Sequence, residues 1–239
     1  IWIPTGYVTK EDISVPLDKL AMKHGFQLIV DPVTQVEAKS KKVTLQSGRI
    51  LEGYNYMIVA LGQDKIALKG MENTLSICGK PEEATALYER LDTLIQKKEG
   101  KIAMGFGGNP KDTSAVRGGP AFEVLFNVDT YLKKKGVRDH FELTFFAPME
   151  KPGQKMGEKA LVMMDKMFKM TNIKKQIGTK ITSFEEDGIC FDDGTKLESD
   201  LTMFISAGTG HSILKESGLP LSDAGYVVTN EYNEIEGFE

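Results

Sequence analysis

The chain holds two thiols, Cys78 and Cys190, and their settings suit different work. Cys78 stands just before Pro81-Glu82-Glu83-Ala84, where an amphipathic pattern announces a helix. The positive end of a helix dipole favours the thiolate, which is the nucleophilic form of cysteine. Cys78 is therefore the candidate catalytic residue, against a second reading as a buried structural cysteine at a domain junction. Cys190 lies in Gly188-Ile189-Cys190-Phe191, a meander strand in which a thiol packs as a small hydrophobe. No Cys-Xaa-Xaa-Cys occurs, so zinc and thioredoxin-like chemistry have no support. His24, His140 and His211 are far apart without ligand spacing, and no metal site is expected. Glycines cluster at Gly105-Phe106-Gly107-Gly108 and at Gly118-Gly119-Pro120. A nicotinamide site needs Gly-Xaa-Gly-Xaa-Xaa-Gly directly between a strand and a helix, so that the pyrophosphate meets the helix start. Here about ten residues, 109–118, intervene and Pro110 takes the third glycine's place, so an intact NAD(P) site is not expected. Glu150, after the next strand, is the one acid placed to bond a ribose.

The elements that must position these groups follow from periodicity and punctuation. After a Pro-rich opening, a helix is expected over Leu17–His24, ended by Gly25, and then a short apolar strand over Phe26–Val30. Val33–Ala38, Val43–Gln46 and Arg49–Leu51 alternate in polarity and form an antiparallel meander turning at Lys41-Lys42 and Ser47-Gly48. Met57–Leu61 is apolar on both sides and suits a buried strand. Residues 63–80 read as a linker. Helix Pro81–Lys97, strand Lys101–Phe106, loop Gly107–Gly119, helix Pro120–Lys135 and strand Phe141–Phe146 give an order that implies a parallel sheet. A helix over Glu158–Met170, a second meander over 180–198 turning at Asp193-Gly194, and a buried strand Leu201–Ala207 complete the pattern. The succession of meander, apolar strand and small-residue stop occurs at 43–62 and again at 189–208, which reads as a duplicated dinucleotide-binding construction. Met163, Met164, Met167 and Met170 form a helical stripe, read as a core or interdomain face in preference to a ligand groove.

Composition narrows the classes. The apolar fraction of 41% and charged fraction of 27% are those of an ordinary soluble globular chain. A net charge of −4 with scattered basic residues leaves no footprint for nucleic acid. No apolar run approaches the roughly 20 residues that span a bilayer.

Four stretches carry a resemblance. They are Tyr54-Asn55-Tyr56-Met57-Ile58-Val59-Ala60-Leu61-Gly62; Leu75-Ser76-Ile77-Cys78; Gly118-Gly119-Pro120-Ala121-Phe122-Glu123; and Asp200–Ala207 leading through Gly225-Tyr226-Val227-Val228-Thr229 to Glu236-Gly237-Phe238. Together they resemble the sulfide:quinone oxidoreductase and flavocytochrome c sulfide dehydrogenase branch of the FAD-dependent pyridine nucleotide-disulfide oxidoreductases. The resemblance implies an α/β, Rossmann-like FAD/NAD(P)-binding fold, with a parallel sheet and an antiparallel β-meander. It implies that residues 1–75 belong to an FAD-binding domain, 76–199 to an NAD(P)-binding-like domain, and 200–239 to a segment returning to the first. The chain is then expected to be an internal piece of a larger flavoenzyme, since the opening Ile1-Trp2-Ile3-Pro4 is not a natural initiation site and the family's N-terminal Gly-Xaa-Gly-Xaa-Xaa-Gly and later Gly-Asp motif do not occur.

For the parent protein the resemblance implies FAD as cofactor, sulfide and quinone as partners, and peripheral membrane association through a C-terminal region outside this chain. A homo-oligomer is compatible with it, and the piece itself is expected to be soluble, inactive and free of FAD. It makes Cys78 the family's sulfur-holding cysteine. It places Ala60, Leu61 and Gly62 at a turn close to the FAD, and Val36 where a meander strand offers backbone groups to the adenine. The 109–118 loop is expected to fill the nicotinamide pocket or to shape a route to the flavin. The alternatives are an NAD(P)H-dependent flavin reductase, such as a type II NADH dehydrogenase, and a scaffold domain inactive by itself.

Overall fold

A computed structural model describes residues 1–116 and 118–238; Arg117, within the Gly107–Gly119 loop, and Glu239 lie outside the described residues. In chain order the elements are α1 (Leu17–His24), β1 (Val33–Glu37), β2 (Lys42–Leu45), β3 (Ile50–Glu52), β4 (Asp64–Lys65), α2 (Pro81–Lys97), β5 (Gly100–Phe106), α3 (Gly119–Lys134), β6 (Phe141–Ala147), α4 (Glu158–Thr171), β7 (Lys174–Ile177), β8 (Ile181–Glu185), β9 (Gly188–Phe191), β10 (Lys196–Glu198), β11 (Leu201–Ile205) and β12 (Gly208–Thr209). The chain divides into two compact units. Unit 1 is Ile1–Ser14, Ala67–Gly108 and Val116–Ala207; unit 2 is Val15–Ile66, Asn109–Ala115 and Gly208–Glu239.

Unit 1 is built on a parallel sheet of order β11-β5-β6-β7. Strands β11, β5 and β6 are largely apolar on both faces because both faces are covered, while the edge strand β7 is polar. Side chains alternate between the two covers, as the strand period of two requires. Ile102, Met104 and Phe106 of β5, with Leu143 and Phe145 of β6 and Met203 of β11, point into a core with Leu87 and Leu91 of α2 and Val124, Leu125 and Val128 of α3. Ala103, Phe146 and Phe204 point to the opposite face, where Phe184 of β8 and Ile189 and Phe191 of β9 cover them. The result is a helix layer, a sheet and an antiparallel meander of order β10-β9-β8. Arg138 fixes the ends of this stack. Its Nε donates to the buried Asp129 at 2.6 Å, and its two Nη groups donate to the Phe141 carbonyl at 2.7 Å and the Thr171 carbonyl at 2.8 Å.

Unit 2 is sparser. A meander of order β1-β2-β3 buries Val36, Ala38 and Leu45, and Val36 and Ala38 pack with Leu214 and Leu219. A two-residue antiparallel ribbon pairs Asp64–Lys65 of β4 with Thr209–Gly208 of β12. Helix α1 ends at Gly25, whose left-handed φ of 69° lets its N–H reach the Ala21 carbonyl at 2.8 Å, but it buries no side chain.

The α/β class, the parallel sheet and both meanders are as the sequence implies. Three readings are corrected. Phe26–Val30 and Met57–Leu61 are not buried strands: neither belongs to a ladder among the described residues, and Val30 and Ile58 are 90% and 92% exposed. The methionine stripe of α4, read as a core or interdomain face, is not part of this chain's core. Met163, Met167 and Met170 are exposed and only Met164 is half-buried, because the helix turns Phe168 to the sheet instead. The span 63–80 holds the β4 ribbon strand, a 3-10 turn over Met71–Asn73, and single bridges from Lys69 to Ser183 and from Leu75 to Met203.

Candidate functional site

In unit 1 the approach to Cys78 is fixed by backbone bonds to the sheet. Leu75 N–H donates to the Thr202 carbonyl at 3.0 Å, and Phe204 N–H donates to the Leu75 carbonyl at 2.9 Å. Ser76 is buried, and its hydroxyl accepts from the Cys78 N–H at 3.2 Å. Ile77 packs on the helix-layer core, so the chain is pinned up to residue 77 and the Cys78 thiol is left exposed. The buried structural reading of Cys78 therefore does not hold. Three residues later α2 begins with Pro81, where a missing N–H costs nothing. The positive end of that helix is also met by Glu82 and Glu83 in its first turn. Glu82 is drawn off to Lys10 at 2.6 Å, a partner that holds its carboxyl below the usual range. Cys190 is half-buried in β9, and its backbone carbonyl accepts from the Thr182 hydroxyl at 3.0 Å.

The nucleotide-like element of unit 1 starts as expected and is then diverted. β5 ends at Phe106, and Gly107 N–H donates to the Ile205 carbonyl at 2.9 Å. Residues 109–115 belong to unit 2. Asn109 is only 4% exposed; its Nδ2 donates to the Gly208 carbonyl at 2.8 Å, and its Oδ1 accepts from the Lys111 N–H at 2.9 Å. A Cβ on Gly118 would stand 2.3 Å from the Phe106 ring, so that ring sits under the start of α3. The first turn of α3 contains Pro120, which has no N–H to offer an anion. Glu150 lines a groove of about 380 Å³ with Phe122, Pro152, Leu161, Met164 and Phe168.

The residues expected at the FAD lie in unit 2. The Val36 side chain is buried, and its backbone pairs in register with Val43. β1 is an edge strand, so backbone groups on its outer side face away from the ladder, apart from the neighbouring Ala38 N–H, which Ser217 accepts at 3.0 Å. Ala60 and Leu61 are exposed, and Gly62 has a φ of 76° with open space around the place a Cβ would take. Val59, one residue earlier, packs on the Val36 cluster, which ties the turn to the meander. Beside it a groove of about 480 Å³ is lined by Val43, Arg49, Leu51, Glu52, Tyr54 and Met57. The Tyr54 hydroxyl is buried without a hydrogen-bond partner, a feature the tyrosines of the 54–62 stretch could have flagged.

An apolar floor, a waiting hydroxyl and an open glycine turn fit one side of an FAD. They do not fit its pyrophosphate. The one α-helix of unit 2 among the described residues is α1, which starts with no side-chain cap and carries Asp18, of the wrong sign, in its first turn. Cys78 and the residues expected at the FAD fall in different units. No group of three His, Cys, Asp or Glu side chains among the described residues could hold a metal, and none of their helices is long and apolar enough to cross a membrane.

Comparison with known proteins gives the site its context. The family model described as pyridine nucleotide-disulphide oxidoreductase matches residues 5–237. A sulfide-quinone reductase of Aquifex aeolicus is 26% identical over 227 residues, covering 89% of this chain and 50% of that protein. The X-ray structure of the Aquifex aeolicus sulfide:quinone oxidoreductase superposes with a TM-score of 0.84 at 24% identity, over 99% of this chain and 56% of that one. An NAD-dependent persulfide reductase from A. fulgidus gives 0.69 at 14% identity, covering 99% and 44% of the two chains. The chain spans about half the length of the curated relative it matches.

Proposed function

This chain belongs to the pyridine nucleotide-disulphide oxidoreductase family, and from that premise we propose that it is part of an FAD-dependent enzyme that oxidises sulfide to sulfane sulfur with quinone as acceptor. The observation that carries this reading is the diversion after β5. Asn109 is committed to Gly208, the Phe106 ring underlies the start of α3, and Pro120 removes a donor, which among the described residues argues against a cradle for a nicotinamide pyrophosphate. An enzyme of this family without that cradle must draw electrons from another donor. The exposed Cys78 on a pinned strand end suits sulfide.

Sulfide gives up two electrons and becomes a sulfane sulfur bonded to a cysteine sulfur; the electrons and two protons reach the quinone, which leaves as the quinol. Bound FAD would supply the two-electron relay between sulfide and quinone. Cys78 would hold the sulfane sulfur as a persulfide, with its backbone N–H anchored to Ser76 so that the thiol keeps one position. The turn at Ala60-Leu61-Gly62 would admit the cofactor's edge, β1 at Val36 would meet the adenine with backbone groups, and Tyr54 would donate to it. The membrane-resident quinone pool accords with a parent that is peripheral to a membrane.

The test is anaerobic titration of the full-length protein with sulfide and, separately, with NADH, following flavin absorbance. Sulfide should bleach the flavin and NADH should not. Cys78→Ser should lower sulfide-dependent quinone reduction on the order of a hundred-fold or more. Rapid bleaching by NADH alone would instead favour an NAD(P)H-dependent flavin reductase. That second reading draws on Glu150 in its groove beyond β6 and on the similarity to the NAD-dependent persulfide reductase. This chain expressed by itself is expected to carry no flavin absorbance and no activity, because unit 2 lacks a pyrophosphate-binding helix start among its described residues.

A further inference from the structure

His211 takes no part in the chemistry argued above, yet both of its ring nitrogens are placed. The residue caps the 3-10 turn Ser212–Leu214. Its Nδ1 accepts from the Ile213 N–H at 3.3 Å, and its carbonyl accepts from the Leu214 N–H at 3.0 Å. Its Nε2 lies 3.9 Å from Oδ1 of Asp64 in β4. The other oxygen of that carboxylate, Oδ2, accepts from the Ser212 N–H at 2.8 Å. Turn and ribbon strand are therefore fastened to each other beside the imidazole.

The turn leads straight to the first meander. Leu214 is buried with Val36 and Ala38. The Ser217 hydroxyl donates to the Leu214 carbonyl at 2.7 Å, and the Ser217 carbonyl accepts the Ala38 N–H at 3.0 Å. His211, Asp64, Leu214, Ser217, Val36 and Ala38 all belong to unit 2.

An Nδ1 that accepts a hydrogen bond carries no proton, so the neutral ring holds its proton on Nε2, toward Asp64. A protonated ring has a donor at each nitrogen, and an Nδ1–H cannot face the Ile213 N–H. The charged ring is drawn to Asp64 instead. Of the charged groups around it, Asp64 comes from β4, Lys215 and Glu216 from its own turn, and Asp223 from the hairpin whose Ala224 carbonyl accepts the Gly210 N–H. Only Asp64 pairs with it among the described residues.

We propose that His211 is a proton-operated clasp. Neutral, it closes the Ser212–Leu214 turn over Val36 and Ala38; protonated, it turns to Asp64, gives up the Ile213 N–H and loosens the turn. Histidine ordinarily changes charge between about pH 5 and 8. Asp64 stays ionised across that range, because Ser212, through its hydroxyl and its N–H, holds the carboxyl below its ordinary value of 3.8. The clasp bears on the Val36 edge of the meander and is independent of which compound supplies the electrons.

The test is hydrogen–deuterium exchange of the full-length protein, read by mass spectrometry on a peptide spanning residues 212–217 and corrected for the intrinsic chemical rate. Protection of that peptide should fall about five-fold between about pH 7.5 and about pH 5.5, as the loss of one turn cap implies. A peptide from the buried strand β5 should keep its protection at both. His211→Asn supplies a capping oxygen that does not titrate, so its turn should stay protected at both pH values. Equal protection of the native turn at the two pH values would overturn the proposal. So would an undiminished loss in the His211→Asn variant, which would assign the loosening to another group.

Discussion

Residues 43–62 and 189–208 run through the same succession of meander strands, Xaa-Gly turn, apolar run and small-residue stop. In the second stretch the run becomes β11: all five residues are buried, and it lies parallel beside β5 from Leu201↔Ile102 to Ile205↔Phe106. In the first, Met57–Leu61 joins no ladder, and Tyr56 and Ile58 are 93% and 92% exposed. The residues are equally apolar; what differs is the neighbour. A run of this kind becomes a strand only where another strand takes its backbone groups and another layer takes its side chains. The segments that follow the two runs nevertheless find each other, as β4 and β12.

The contrast can be broken most decisively at the two apolar runs. Phe204 sits between Phe184 at 4.7 Å and Phe146 at 5.9 Å, so Phe204→Ala should cost about 3–5 kcal/mol. Ile58→Ala, on a side chain in solvent, should stay within about 0.5 kcal/mol. Urea unfolding followed by far-UV circular dichroism compares them, and similar losses would mean that residues 57–61 are buried after all.

The two glycine stops give a smaller contrast. A Cβ on Gly208 would lie 2.1 Å from the Gln63 carboxamide, which Tyr226 holds through its hydroxyl at 3.0 Å; Gly208→Ala should cost about 1–3 kcal/mol. Gly62→Ala meets open space and pays only for its left-handed backbone, about 1 kcal/mol. Melting temperatures in the reverse order would show that the first stop is the crowded one.

The smallest effect lies in the ribbon that joins the two stretches. The Ser212 hydroxyl and its backbone N–H, at 2.8 Å, hold the Asp64 carboxyl below its ordinary value of 3.8, with His211 and Lys215 adding to the shift. A carboxyl lowered on folding contributes stability that is present above that ordinary value and is lost as pH falls through the lowered one. Asp64→Asn should therefore lose a small part of the stability at neutral pH and flatten the acid limb, so that the two proteins converge as pH falls through the lowered value. An acid limb identical in both proteins would remove the carboxylate from the account.

The helices were legible almost to the residue. Prolines at helix starts, Gly25 at a helix end and a 3.6-residue apolar period are local signals, and they survive whatever the rest of the chain does. The second meander and β11 were legible for the same reason. β7, with its sequence Lys-Lys-Gln-Ile, was missed because an edge strand needs little apolar surface. Met57–Leu61 was misread in the opposite direction, since apolar character was taken as burial where only a neighbour could supply it, and the α4 methionines are likewise outside the core of this chain. At the site, the place of Cys78 before a helix was visible, but not that Ser76 and Ile77 would be pinned and leave the thiol outside. The diverted loop was visible as an insertion; that Asn109 would tie it to Gly208 depends on a contact across 99 residues of sequence.

That amide also limits how the protein could be re-engineered. Both ends of the Asn109 side chain are engaged, one by Gly208 and one by Lys111. Restoring the missing third glycine at Pro110 would leave the polypeptide on its detour, with the Phe106 ring still wedged beneath the helix. On the sulfide reading, converting this scaffold to run on a reduced pyridine coenzyme would call for excising the excursion and replacing the ring together, a change that no single-codon step can reach.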